Sequence, residues 1–233
     1  MGADLSATAS ATAEASAKAA VAPVICMITD RHRVGGEDML VRRVEAAARA
    51  GVHLIQIRER DLDGGPLLRL VRRCVEVTRS TGARILVNDR VDIALSAGAH
   101  GVHLRGDSIS ATRLRSISPP GFIVGRSVHA RVEAMNVSSA GGLDYLVFGP
   151  VFSTASKPHS TPAGVHALAD VLAATPIPVL AIGGITRETL RSTARAGAAG
   201  FAAIGLFADG DDQHLLSLVS AASRAFDTPP VGP

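Results

Sequence analysis

The chain has 233 residues, 47% of them hydrophobic, which suits one large α/β domain with a sizeable core. Aromatic residues make up only 3% and Trp is absent, so the core must be Val, Ile, Leu and Ala, as in parallel strands covered by helices. A net charge of +3 carried by scattered arginines argues against a nucleic-acid partner, and no stretch of about 18 apolar residues calls for a membrane span.

Residues 1–22 are rich in Ala, Ser and Thr and predict a disordered low-complexity extension; they lack the basic and apolar regions of a signal peptide. The folded domain is expected over residues 23–226, with a flexible tail at 227–233. Four places repeat one pattern: Ala50-Gly51, Ala97-Gly98, Ala140-Gly141 and Ala196-Gly197 each close a helical stretch and open a short apolar run. Gly just past a helix enters the left-handed region without strain, and the run after it is the next strand. Further strand-like runs at 24–29, 84–87, 122–125 and 178–182 bring the number to eight. Helical periodicity covers about 37–50, 65–80, 110–117, 130–139, 164–174, 186–196 and 212–225, with a shorter candidate at about 90–97. Strict alternation of buried strands and helices predicts an α/β fold with a parallel sheet, and eight units predict a single closed (βα)8 TIM barrel. An open flavodoxin-like sheet would need fewer strands. Cys26 and Cys74 have no motif spacing and are expected to be buried and reduced, as in a cytoplasmic protein.

In such a barrel, functional side chains gather at the C-terminal ends of the strands. The second strand ends in Gln56-Ile57-Arg58-Glu59-Arg60, and alternation puts Gln56, Arg58 and Arg60 on one side as a fork-shaped anion clamp. The third ends in Asn88-Asp89-Arg90, a carboxamide, a carboxylate and a guanidinium suited to a phosphate with a metal ion. A helix N-cap is the plainer role for Asn88 or Asp89. After the fourth strand, His103 reads as a satisfied core histidine. After the fifth, Ser127 and His129 alternate and could face one ligand, His129 as a proton carrier near neutral pH. The loop after the sixth is long and ends at Lys157, which with Lys18 completes the lysines of the chain. A lysine kept where arginine is used elsewhere suggests a compact ammonium reaching a phosphate or leaving group. Glycines after the seventh and eighth strands, Gly183-Gly184 and Gly205, expose backbone N–H groups where (βα)8 barrels commonly hold phosphate.

Taken jointly, Gln56-Ile57-Arg58-Glu59, Val87-Asn88-Asp89-Arg90-Val91-Asp92, Gly101-Val102-His103-Leu104, Gly149-Pro150-Val151-Phe152 with Thr154 to Lys157, and Ala181-Ile182-Gly183-Gly184-Ile185-Thr186 resemble the thiamine phosphate synthase family and its sister group, the TenI thiazole tautomerases. The resemblance spans about residues 24–208. It implies joining of hydroxymethylpyrimidine diphosphate to thiazole phosphate, giving thiamine phosphate and pyrophosphate. It further implies that Gln56, Arg58, Arg60 and Asn88 hold the pyrimidine diphosphate, and that Ser127 and Lys157 contact the diphosphate end. Thr154, Ser156, Gly184 and the Ile204-Gly205 backbone would cradle the thiazole phosphate, and Asp89 would bind Mg²⁺. The implied partners are small phosphorylated molecules, with no nucleic acid and no membrane; a homo-oligomer stays open.

Three departures accompany the likeness. Arg60 stands where the synthase pattern has Lys, and Gly205 where it has Ser. The second Mg²⁺-binding Asp of the pattern aligns with Ser108, while the nearest carboxylate, Asp107, lies one residue earlier and is the candidate second metal ligand if the loop slips by one residue. The tautomerase branch, which needs neither metal nor pyrophosphate, would use His129 to move a proton on a thiazole carboxylate phosphate. A third reading is a non-catalytic barrel that binds a thiazole or thiamine phosphate.

Overall fold

Eight short parallel strands close into a barrel in sequence order, β1 hydrogen-bonded to β8. The computed structural model describes residues 23–154 and 161–227. The expected N-terminal extension lies outside them, as do residues 228–233 of the expected tail. The strands are β1 (Val24–Ile28), β2 (Leu54–Ile57), β3 (Arg84–Asn88), β4 (Gly101–Leu104), β5 (Ile123–Val128), β6 (Tyr145–Phe148), β7 (Val179–Ile182) and β8 (Gly200–Ala203).

Each βα unit contributes a helix to the outside. In order these are α1 (Arg31–Val34) and α2 (Glu37–Arg49), α3 (Gly64–Thr78), α4 (Val91–Ala97), α5 (Ala111–Arg115), α6 (Arg131–Ala140), α7 (Gly164–Leu172), α8 (Leu190–Arg195), then α9 (Gly205–Ala208) and α10 (Asp212–Phe226). All four Ala-Gly signals mark the close of a helix: Gly51, Gly98, Gly141 and Gly197 have φ of 98°, 68°, 75° and 93°. Asp30, Ser110 and Asp211 cap α1, α5 and α10 by accepting from backbone amides of Arg33, Arg113 and His214.

The strand boundaries differ from expectation in one place that matters. The fifth strand was expected to stop at Gly125, where its apolar run meets Arg126. It continues through Ser127 and Val128, because the ladder to β6 pairs Arg126 with Leu146, Ser127 with Val147 and Val128 with Phe148. The turns α1 and α9, four residues each, are too short to show a helical period in the sequence.

Alternation sorts the strand side chains into two apolar sets. Cys26, Ile28, Leu54, Leu86, Val147 and Leu180 belong to the set that fills the barrel. Ile25, Ile55, Val87, Val102, Leu146 and Phe201 belong to the set packed beneath the helices. The fill includes one size match: a Cβ on Gly125 would overlap the Tyr145 ring, so the missing side chain on β5 makes room for that ring inside the barrel. The fill of the barrel is thus largely apolar, and polar side chains gather as the strands reach their C-terminal ends. Cys26 and Cys74 are free thiols inside the protein, and burial pushes both up to about 12, so neither is a nucleophile at neutral pH.

Candidate active site

Above Leu54, the alternation of β2 carries Gln56 and Arg58 toward the inside of the mouth. Gln56 is 2% exposed, and its Nε2 is a buried donor with no hydrogen-bond partner among the described residues. Such a group costs about 1–3 kcal/mol when left unpaired, so an acceptor carried by a ligand is its natural complement. Arg58 is half-buried; burial first, then the charge of Arg60, lowers its guanidinium from the ordinary value. Arg60 itself is exposed on the rim.

These arginines stand on a scaffold that sequence reasoning passed over. Glu59 falls on the face shared with Ile55 and Ile57 and is 4% exposed. Its carboxylate accepts from Thr29 Oγ1 at 2.6 Å, from the Arg31 amide at 3.1 Å and from Arg31 Nη1 at 3.3 Å. Thr29 Oγ1 in turn accepts from the Arg58 amide at 2.9 Å. One buried carboxylate therefore ties the ends of β1 and β2 together and fixes the backbone that aims Arg58. The available signal was a charge on the apolar phase of a strand.

Asp89 follows β3 in the left-handed region, with φ of 60°. It is not a helix cap; Arg90 holds that position for α4. The Asp89 carboxylate accepts from Ser108 Oγ through Oδ1 and lies 3.1 Å from Arg105 Nε through Oδ2. The same Nε lies 3.2 Å from Asp107 Oδ1. Asp107 is not drawn in beside Asp89, because its chain position one residue before Ser108 turns it outward and the Arg105 guanidinium stands between the two carboxylates. Arg90, expected to complete the ion site, instead grips Asp92 at 2.9 and 2.6 Å. The loop that carries Ser108 is steadied from beneath by Arg126, which is 7% exposed and donates to the carbonyls of Gly106, Ser108 and Ile109.

His103 is the buried centre of the mouth's floor. Its Nδ1 is 2.9 Å from Tyr145 Oη and its Nε2 is 2.9 Å from Ser127 Oγ. Burial, then the nearby Arg126 and Arg58 charges, lower it to about 4, so the ring is neutral at physiological pH. A neutral imidazole donates from one nitrogen and accepts at the other, and both hydroxyl partners can serve either role. This is the satisfied core histidine that was expected, and it also orients Ser127. His129 does not join Ser127 in the barrel. It is exposed above the rim, its amide donating to Glu133 at 2.7 Å and its Nδ1 donating to the Gly149 carbonyl at 2.8 Å.

On the other side of the mouth, the segment after β6 lies against the end of β7. The Val151 amide donates to Ile182 at 2.8 Å and the Phe152 amide to Gly183 at 3.0 Å. Gly184 has φ of 64°, and a Cβ there would overlap the Ser153 carbonyl oxygen and stand 2.6 Å from Phe152 Cβ. The chain can pass this closely over β7 only because position 184 has no side chain. Thr154, half-buried, is the last described residue of this segment. Ser156 and Lys157 lie outside the described residues. At the end of β8, Gly205 follows Ile204 and opens α9, with the Arg33 guanidinium of α1 placed directly over it.

Among the described residues, no group of three or more His, Cys, Asp or Glu comes together as a metal site. No helix among them is long and apolar enough to cross a membrane. Fold and mouth together define a (βα)8 barrel with an arginine-rich edge after β2 and a glycine-rich edge after β7 and β8, on either side of the buried His103. The family described as thiamine monophosphate synthase matches over residues 25–207, and the chain belongs to that family. It is 40% identical over 203 residues to a thiamine-phosphate synthase of Roseiflexus castenholzii, covering 87% of this chain and 86% of that protein. It is 39% identical over 181 residues to a thiamine-phosphate synthase of Methanoculleus marisnigri, covering 77% and 82%. The solved structure of thiamine phosphate pyrophosphorylase from Pyrococcus furiosus superposes with a TM-score of 0.77 at 28% identity, over 88% of this chain and 98% of that one. A 3-hexulose-6-phosphate synthase shares the fold at 13% identity, with a TM-score of 0.64.

Proposed function

We propose that this barrel joins hydroxymethylpyrimidine diphosphate to thiazole phosphate, releasing pyrophosphate and thiamine phosphate. The observation that carries the reading is the buried, unpaired Gln56 Nε2 on the inner side of the mouth, beside an arginine. That pairing suits a heteroaromatic ring whose nitrogen accepts from the amide while its diphosphate meets the guanidinium. In the reaction the C–O bond to the methylene carbon breaks and the electron pair leaves with pyrophosphate. The thiazole nitrogen then supplies the pair that forms the new C–N bond. Arg58 and Arg60 meet charge as it gathers on the departing oxygens, with Asn88 as a neutral donor beside them. Ser127, its hydroxyl set by His103, contacts the diphosphate end, and Lys157 is assigned the same end. Thr154, Ser156, Gly184 and the Ile204-Gly205 backbone hold the thiazole phosphate.

The Mg²⁺ implied by the family resemblance belongs to the Asp89 side. Asp89, the Ser108 hydroxyl and Asp107 are all oxygen donors, the chemistry Mg²⁺ prefers. The ion's contribution, when bound, is to neutralise pyrophosphate charge. Arg105 now contacts both carboxylates and would have to turn away.

Purified protein given both substrates with Mg²⁺ should form thiamine phosphate, and Gln56→Leu should raise the pyrimidine KM by roughly tenfold or more. Absence of product with and without metal would overturn the assignment. One observation favours the tautomerase reading: the Gly149 carbonyl can only accept, so His129 donates from Nδ1 and leaves Nε2 facing away from that bond. Conversion of a thiazole carboxylate phosphate that disappears in His129→Ala would establish that activity.

A further inference from the structure

The Gly-rich edge of the mouth contains a charged group that nothing in the sequence pattern assigns. Arg33 comes from α1, after β1, yet its guanidinium lies over Gly205, after β8. A Cβ built on Gly205 would stand 2.9 Å from Arg33 Nη2, 3.0 Å from Cζ and 3.0 Å from Nη1. Three near-equal distances mean that the guanidinium plane faces the Gly205 methylene, in the space any side chain would need. The group is held there from behind. Asp209 takes Arg33 Nε at 3.0 Å and Nη2 at 2.7 Å, the two-point grip of a carboxylate on one edge of the fork. Nη1 makes no hydrogen bond among the described residues, so its two donors remain available at the edge of the phosphate site.

We infer that Arg33 is a binding residue for the phosphate monoester at the β7–β8 edge, presented there by Asp209 and admitted by the missing side chain of Gly205. Asp209 sets the guanidinium's direction, and the ligand phosphate takes the face that Asp209 leaves. The inference rests on the proposed function and adds a specific charge to a site otherwise made of backbone and hydroxyl donors. It predicts discrimination: the phosphorylated thiazole gains from Arg33, while the corresponding thiazole alcohol does not.

The test measures equilibrium binding of thiazole phosphate and of the unphosphorylated thiazole alcohol to the full chain by calorimetry, together with both KM values. Arg33→Gln should weaken thiazole phosphate by roughly 10- to 100-fold, the scale of one hydrogen bond to a charged group, and leave the alcohol within about twofold. The pyrimidine diphosphate KM should stay within about twofold. Gly205→Ala should act in the same direction with Arg33 intact, because the added methyl displaces the guanidinium. Equal thiazole phosphate affinity in wild type and Arg33→Gln overturns the inference and leaves the proposed function standing. A wild-type protein that neither binds thiazole phosphate nor converts it overturns the proposed function itself.

Discussion

The two sides of the barrel mouth solve the same problem with opposite materials. On the β2–β4 side, charges are carried on side chains and held in place by other side chains: Glu59 under the β1 and β2 ends, and Arg105 between Asp89 and Asp107. On the β6–β8 side, neighbours press on bare backbone, the segment after β6 on Gly184 and the Arg33 guanidinium on Gly205, and both glycines matter for what they lack. The first side is tuned by charge and resists through ion pairs. The second is tuned by clearance and resists through sterics, which are less forgiving.

That contrast ranks the expected effects. Gly184→Ala should be the most damaging, because it adds a Cβ at a positive φ and into the Ser153 backbone. A loss of about 3 kcal/mol or more in urea unfolding is expected, with weakened thiazole phosphate binding. A tolerated alanine would show that the segment after β6 yields, and the contrast would collapse. Next is the pH response of the floor. His103 is lowered to about 4 in the fold against an ordinary value near 6.5, so the unfolded chain binds the extra proton first. Its contribution, about 3 kcal/mol, is complete above pH 6.5 and is lost as pH falls toward 4. His103→Gln should flatten that part of the stability profile, and an unchanged profile would assign the acid sensitivity elsewhere.

Glu59→Gln should cost about 2 kcal/mol, since the amide keeps the shape but loses charge against Arg31. It should also raise the pyrimidine diphosphate KM through misaimed Arg58, leaving the thiazole KM near wild type. Parallel rises in both KM values would mean that the two sides are mechanically coupled. The smallest effect concerns Arg105→Gln, which frees Asp89. Mn²⁺ binding followed by electron paramagnetic resonance should tighten by a few fold, equivalent to under about 1 kcal/mol for an exposed ion pair. Weaker Mn²⁺ binding would show that Arg105 supports the ion site instead of competing with it.

Much of this molecule was legible before folding. The Ala-Gly pairs are readable because a helix end and a strand start are local events, decided within a few residues. The placement of Gln56, Arg58 and Asn88 at strand ends follows from the same local alternation. Arg90 misled, since a side chain two residues from an Asp on the following helix turn pairs locally before it serves a distant ligand. Arg33 and Arg105 left no sequence signal, because a long flexible side chain on a short helical turn or in a loop can end in many places. The Asp107 displacement was visible as a spacing, but only the loop's course showed that Ser108 faces Asp89 and that an arginine separates the carboxylates.

The sequence by itself therefore determined the barrel, its strand count and the chemical character of each strand's end, because those depend on short-range periodicity and helix caps. Tertiary structure alone decided which groups share a site. Closing β8 against β1 brings residue 33 over residue 205, and packing β3 beside β4 sets residue 89 against residue 108. Such contacts join points far apart in the chain, where local propensity carries no information and only the closed ladder sets the distance.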